Sequence, residues 1–174
     1  RKRPQEPTQP FSYHSEEVIF PNTKANVALA GTLTLPSKEG NYPAVILISG
    51  SGPQNRDGEF AGHKPFLVLA DHLTKNGIAV LRYDDRGFAQ STGDFGAATS
   101  LDFATDVESA IAYLKTRKEV NKNKIGLVGH SEGGIIAPIV ASTSKYVSFM
   151  VLLAGLGIEG CQALMRQPEL TLRA

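Results

Sequence analysis

The chain has 174 residues, 41% hydrophobic and 20% charged, which is enough apolar content for the core of one globular domain. Its 18 Lys and Arg against 17 Asp and Glu leave a formal net charge of +1, so there is no electrostatic case for a nucleic-acid or anionic-membrane partner. The single cysteine, Cys161, excludes an internal disulfide, and no apolar run is long enough for a transmembrane segment.

In chain order, residues 1–15 open on Arg1-Lys2-Arg3 and carry Pro4, Pro7 and Pro10, which predicts a solvated linker or arm. A removed leader would leave no trace in such a start, so the compartment, cytoplasmic or exported, stays open. Glu16–Phe20 and Asn26–Leu35 alternate apolar and polar residues and predict an antiparallel pair with one solvated face. Ala44–Ser49 is continuously apolar until its last residue, as in a strand covered on both faces. A polar loop, 50–58, follows it. Pro65 then starts a helix with Phe66, Leu69, Ala70 and Leu73 on one stripe, and Asn76-Gly77 stops it. Ile78–Leu81 predicts a second buried strand, and 84–91 a second polar loop. Phe103, Val107, Ala110, Ile111 and Leu114 recur at helical spacing between Leu101 and Arg117, with Asp102 and Asp106 near the start and Lys115 and Arg117 near the end, as the helix dipole favours. Ile125–Val128, a helix from Ile135 to Ser142 with Pro138 bending it, and a buried strand at Phe149–Ala154 complete the pattern. From Ala44 onward the alternation of strand and helix favours parallel pairing with right-handed crossovers.

Between the strand at Ile125–Val128 and the helix from Ile135 lies Gly129-His130-Ser131-Glu132-Gly133, a G-x-S-x-G pentapeptide in a strand–turn–helix context. Such a turn holds its apex serine in a strained backbone conformation, so the neighbours must be small for strand and helix to pass closely. It presents the Ser131 hydroxyl at the carboxyl edge of the sheet. It also sets the Glu132 amide at a helix start, where it can donate to a developing oxyanion.

The pentapeptide, the loop Gly50–Gly58 and the segment Asp85-Arg86-Gly87 together resemble the α/β-hydrolase superfamily, in the branch of carboxylesterases and of serine aminopeptidase-like and dienelactone hydrolase-like proteins. The resemblance covers roughly residues 16–157. The branch's Asp-x-Arg-Gly-x-Gly-x-Ser pattern is met at Asp84 or Asp85, Arg86, Gly87 and Ser91, with Ala89 in place of the second glycine. The resemblance implies a three-layer α/β-hydrolase fold with a mostly parallel sheet and Ser131 as catalytic nucleophile. It implies an oxyanion hole from the amide of Glu132 and from the first loop, at Ser51 or Gly52 with Gln54 a third possibility; Pro53 has no N–H to offer. The implied substrate is a small-molecule ester or amide. Asp85 and Arg86 either touch that substrate or, more in keeping with paired charges at a sheet edge, tie down their loop.

None of the four histidines shows metal-ligand spacing with another ligand, no glycine loop fits a nucleotide fingerprint, and neither a metal nor a cofactor is expected. Cys161 reads as an incidental tail residue. The superfamily order of Ser, then acid, then His is not completed: no His or Asp follows Ser131, and the carboxylates after Glu132 are Glu159 and Glu169. The resemblance therefore implies a partial core at 16–157, the start of a lid or tail at 158–174, and last strands, acid and histidine lying beyond. His63 is the least implausible substitute base. A core of this kind exposes the edge of its last strand, which invites self-association.

Overall fold

The computed structural model describes residues 3–158 together with Gln162, Met165 and Arg166. Cys161, Glu159 and Glu169, and nearly all of the expected lid, lie outside the described residues. Six strands, β1 (His14–Asn22), β2 (Val27–Leu35), β3 (Tyr42–Ile48), β4 (Ala79–Tyr83), β5 (Val120–His130) and β6 (Val147–Leu153), form one sheet in the order β1-β2-β4-β3-β5-β6. The β1–β2 and β2–β4 pairs are antiparallel; β4–β3, β3–β5 and β5–β6 are parallel. Among the described residues the helices α1 (Pro65–Lys75), α2 (Ser100–Thr116) and α3 (Gly133–Thr143) cover the sheet.

The two faces are filled unequally. Leu33, Leu35, Ile46, Ile48, Leu81, Ile125 and Leu127 point to the side covered by α2 and α3, against Val107, Ala110, Leu114, Ile136 and Val140. Val45, Leu47, Val80 and Val128 point to the other side, against Phe66 and Ala70 of α1. Each fully buried Leu or Ile contributes about 1.5–3 kcal/mol, so the α2–α3 side carries most of the hydrophobic stabilisation. Because β3 leads to α1 on one face and β5 leads to α3 on the other, a crevice opens at the carboxyl edge between them, the place where open parallel sheets bind ligands.

Local signals explain the helix ends. Pro65 is at the first turn of α1, and Asn76 ends it with its Nδ2 donating to the His72 carbonyl at 2.8 Å. Thr99 and Asp102 form a reciprocal capping box at the start of α2. α3 begins at Gly133, two residues before the start that apolar spacing predicts, and runs on through Pro138.

Three expectations need correction. The second face of β2 is not solvated: Thr34 is buried and shares a 2.7 Å hydrogen bond with Thr74 of α1, and Thr32 donates to Glu17 at 2.8 Å. Alternation reports polarity, not exposure, and here α1 and the first loop lie over the polar side. β6 is not buried: Phe149 to Leu153 are each 38–45% exposed, because among the described residues β6 has one strand neighbour and α3 covers only part of one face. The arm is not simply solvated. His14 already belongs to β1, and Arg3 donates to the Ala61 carbonyl at 3.0 Å while its guanidinium meets the His63 ring.

Arg86 is withdrawn from the sheet edge. Its side chain is 7% exposed and grips Asp106 of α2 with Nε and Nη2 at 2.7 and 2.9 Å. Asn22, at the end of β1, donates to the same carboxylate at 2.7 Å. Loop 84–91, α2 and the β1–β2 turn are thereby joined through one buried carboxylate. Asp106→Ala leaves the Arg86 charge buried and unpaired and is expected to cost about 3–5 kcal/mol. Thr99→Ala, which removes half of the capping box, is expected to cost about 1 kcal/mol; urea denaturation of the two variants side by side checks the ranking. For the bare edge of β6 we propose self-association of the 174-residue chain, read as a rise of mean mass with concentration in light scattering. A monodisperse monomer at high concentration would count against it.

Candidate active site

Ser131 sits at the junction of β5 and α3 with φ of 53°, a left-handed value that a non-glycine residue adopts at a cost of about 1–3 kcal/mol. The surroundings leave it no alternative. Its amide donates to the Leu153 carbonyl at 2.9 Å, and its carbonyl accepts from Gly134 N at 2.9 Å. A Cβ on Gly129 would collide with the Gly133 carbonyl, and one on Gly133 would collide with the Ile48 carbonyl at the end of β3. Both glycines of the pentapeptide are therefore dictated by contact between strand end and helix start.

The register Ile48↔Gly129 sets the ends of β3 and β5 side by side, and the first loop consequently starts against the elbow. A Cβ on Gly50 would lie 3.0 Å from the Ser131 Cβ. Next in the loop come Ser51 and Gly52, both exposed. Among the described residues the amides of Ser51, Gly52 and Glu132 have no hydrogen-bond acceptor in the protein. Gln54 differs: its amide donates to the Asp85 carboxylate at 2.8 Å, which removes it as an oxyanion donor. A cavity of about 570 Å³ opens beside the elbow, walled by Ser51, Gly52, Phe66, Leu69, His130 and Leu153.

The loops around the crevice are held by carboxylates. Asp84 accepts from Arg56 Nε at 3.0 Å, Nη2 at 2.7 Å and backbone N at 2.8 Å, and these bonds hold its carboxyl below the usual range against the opposing effect of burial. Asp85, 7% exposed, accepts from Ser49 Oγ at 2.5 Å and from Gln54 N, and burial pushes it up to about 6. Ser91 donates to the Asp84 carbonyl at 2.7 Å and accepts from Ala30 N at 3.0 Å. Ala89 has φ of 48°, so the position where the superfamily pattern carries glycine is left-handed in this chain as well. Neither Asp85 nor Arg86 lines the 570 Å³ cavity, but Asp85 borders a second, small pocket with Ser49, Gly50 and Glu132.

Several participants were missed from sequence. Asp106 occupies the core stripe of α2, three residues after Phe103, and a carboxylate on an apolar stripe was the available signal. Ser49, the one polar residue closing an apolar strand, was another. The side chain of Glu132 carried no signal: it accepts from Ser100 Oγ of α2 at 2.7 Å. No hydrogen bond joins the Ser131 hydroxyl to a described side chain. His63 lines the 570 Å³ cavity, but its ring is engaged by Arg3. His130 is exposed on the cavity wall, and His72 lies on α1. Among the described residues no group of three His, Cys, Asp or Glu is placed to hold a metal ion, and no helix is long and apolar enough to cross a membrane.

This arrangement can be set against known proteins. The profile of the family described as serine aminopeptidase, S33, matches residues 63–165. Esterase EstD of Thermotoga maritima is 35% identical over 117 residues, which are 67% of this chain and 28% of that protein. Among solved structures, the Pyrococcus furiosus esterase Pf2001 superposes with a TM-score of 0.73 at 25% identity, covering 94% of this chain and 60% of that one. The α/β hydrolase GrgF from Penicillium sp. sh18 gives 0.72 at 25% identity, covering 92% and 52%. The chain thus spans about a quarter of the curated relative and half to three-fifths of the solved ones. The family profile covers more than half of the chain, from the turn before α1 through the elbow, and places this sequence in the serine aminopeptidase family of the α/β-hydrolase superfamily.

Proposed function

We propose that the chain carries the nucleophile and oxyanion half of a serine hydrolase acting on carboxylic esters. The observation that carries this reading is the left-handed Ser131, locked between β5 and α3 with Gly50 against it and uncommitted amides at Ser51, Gly52 and Glu132. A hydroxyl is a weak nucleophile until a base takes its proton. In the proposed reaction Ser131 Oγ bonds to the ester carbonyl carbon as its proton passes to that base. The carbonyl oxygen becomes an oxyanion held by the Glu132 amide and by Ser51 or Gly52. Collapse of this intermediate breaks the bond to the alcohol oxygen, which leaves with the proton. Water then attacks the acyl-enzyme along the same path and regenerates Ser131.

No histidine follows Ser131 in the 174 residues. In this proposal the base and its orienting acid come from residues beyond them, and the 174 residues alone turn over esters poorly. The similarity to EstD of Thermotoga maritima supports the ester reading. A second reading, hydrolysis of aminoacyl amides, draws on the name of the matched family.

In the complete gene product a fluorophosphonate probe is expected to label one serine, and Ser131→Ala to abolish labelling. An unlabelled wild-type protein would instead support a non-catalytic hydrolase-like binding module. With a matched panel of acetyl esters and aminoacyl amides, kcat/KM is expected to favour the esters by about tenfold or more; the opposite order selects the amidase. Loss of one oxyanion donor lowers kcat about 10²–10³-fold in enzymes of this mechanism, so Ser131→Ala should fall further than any substitution in the first loop.

A further inference from the structure

The first loop has to hold Ser51 and Gly52 still against Ser131, yet residues 50–58 contain no helix or strand, and Ser51 and Gly52 are themselves exposed. What steadies them is one carboxylate on the neighbouring loop. Asp85 accepts from Ser49 Oγ at 2.5 Å with one oxygen and from Gln54 N at 2.8 Å with the other, and its own amide donates to the Gln54 carbonyl at 3.1 Å. These bonds bracket the two exposed residues, Ser49 two positions before Ser51 and Gln54 two positions after Gly52. Asp85 is itself held. On one side Asp84 is gripped by Arg56, and on the other Arg86 is gripped by Asp106 of α2. Asp85 is absent from the lining of the 570 Å³ cavity; with Ser49, Gly50 and Glu132 it borders a second pocket of about 10 Å³, too small for an ester, so its bonds go to the loop.

We infer that Asp85 is a positioning residue that sets the amides of Ser51 and Gly52 where the substrate's carbonyl oxygen develops charge. This rests on the reading of Ser131 as nucleophile. The bracket needs two hydrogen bonds, not a charge. An asparagine can accept from Gln54 N with its oxygen and donate to Ser49 Oγ with its nitrogen, since a hydroxyl is both donor and acceptor. Alanine can do neither, and it leaves the Gln54 amide without its partner.

The test compares Asp85→Ala, Asp85→Asn and Ser49→Ala in the complete gene product, with a short-chain nitrophenyl ester and with amide hydrogen exchange at Gln54. Asp85→Ala is expected to lower kcat about 100-fold with KM within about twofold, the signature of an interaction made in the transition state. Asp85→Asn should stay within about fivefold of wild type, and Ser49→Ala, which removes one bond of the two, should fall between. Exchange at Gln54 should be slow in wild type and Asp85→Asn and fast in Asp85→Ala. The inference is overturned if Asp85→Ala keeps kcat within about threefold of wild type, or if Asp85→Asn falls as far as Asp85→Ala. If Ser131→Ala hydrolyses the ester at the wild-type rate, the nucleophile reading fails, and the exchange comparison alone decides the bracket. Equal exchange at Gln54 in wild type and Asp85→Ala overturns it; where Asp85→Ala is too unstable for kinetics, Ser49→Ala stands in for it, and a kcat within about threefold of wild type overturns the inference.

Discussion

A left-handed serine is uphill in an unfolded chain and persists only where packing over-determines it. Here the packing is backbone against backbone: the end of β5, the start of α3 and the end of β3 approach so closely that Gly129 and Gly133 have no room for a Cβ. Most of the local architecture follows from that contact. It fixes where α3 begins, it puts the Glu132 amide at the helix start, and it brings the root of the first loop onto Ser131. The hydrophobic layer beneath α2 and α3 supplies the stabilisation that outweighs a strain of about 1–3 kcal/mol.

The loops at the carboxyl edge are organised by a different force. Three consecutive residues at the end of β4 each hold a separate piece of the rim: Asp84 takes Arg56, Asp85 takes Ser49 and Gln54, and Arg86 takes Asp106. Buried charges are tolerable only when paired and hydrogen-bonded, so each of these contacts has strict geometry. The outcome is irregular backbone with fixed position, which suits the role proposed for the amides of Ser51 and Gly52. Arg86 and Asp106 contribute through α2 and the β1–β2 turn, without lining the 570 Å³ cavity.

The two faces of the sheet divide the labour. One is a large apolar core under α2 and α3; the other is a small apolar cluster under α1, bordered by Thr32, Arg56 and Arg82. Arg82 lies at 5% exposure beside Asp57, and burial lowers it to about 10, a cost consistent with a polar border and not with a second core. β6 closes the parallel series with apolar side chains half in solvent, as the edge strand among the described residues.

Periodicity and punctuation in the sequence were sufficient for the order of strands and helices, the parallel core from Ala44 onward, and the strand–turn–helix around Ser131, because those features arise from local sterics and from the period of apolar residues. They also bounded the helices at Pro65 and Asn76-Gly77. What they left open was which distant residues meet. That Thr34 is buried against Thr74, that Asp85 reaches back to Gln54, and that Asp106 receives both Arg86 and Asn22 depends on strand order and register, to which a period of 2 or 3.6 is blind. The turn at Ser131 was legible because five adjacent residues encode it. The frame that steadies its surroundings is assembled from separate elements, and only the packing of β3, β4, β5 and α2 brings those side chains within hydrogen-bond reach.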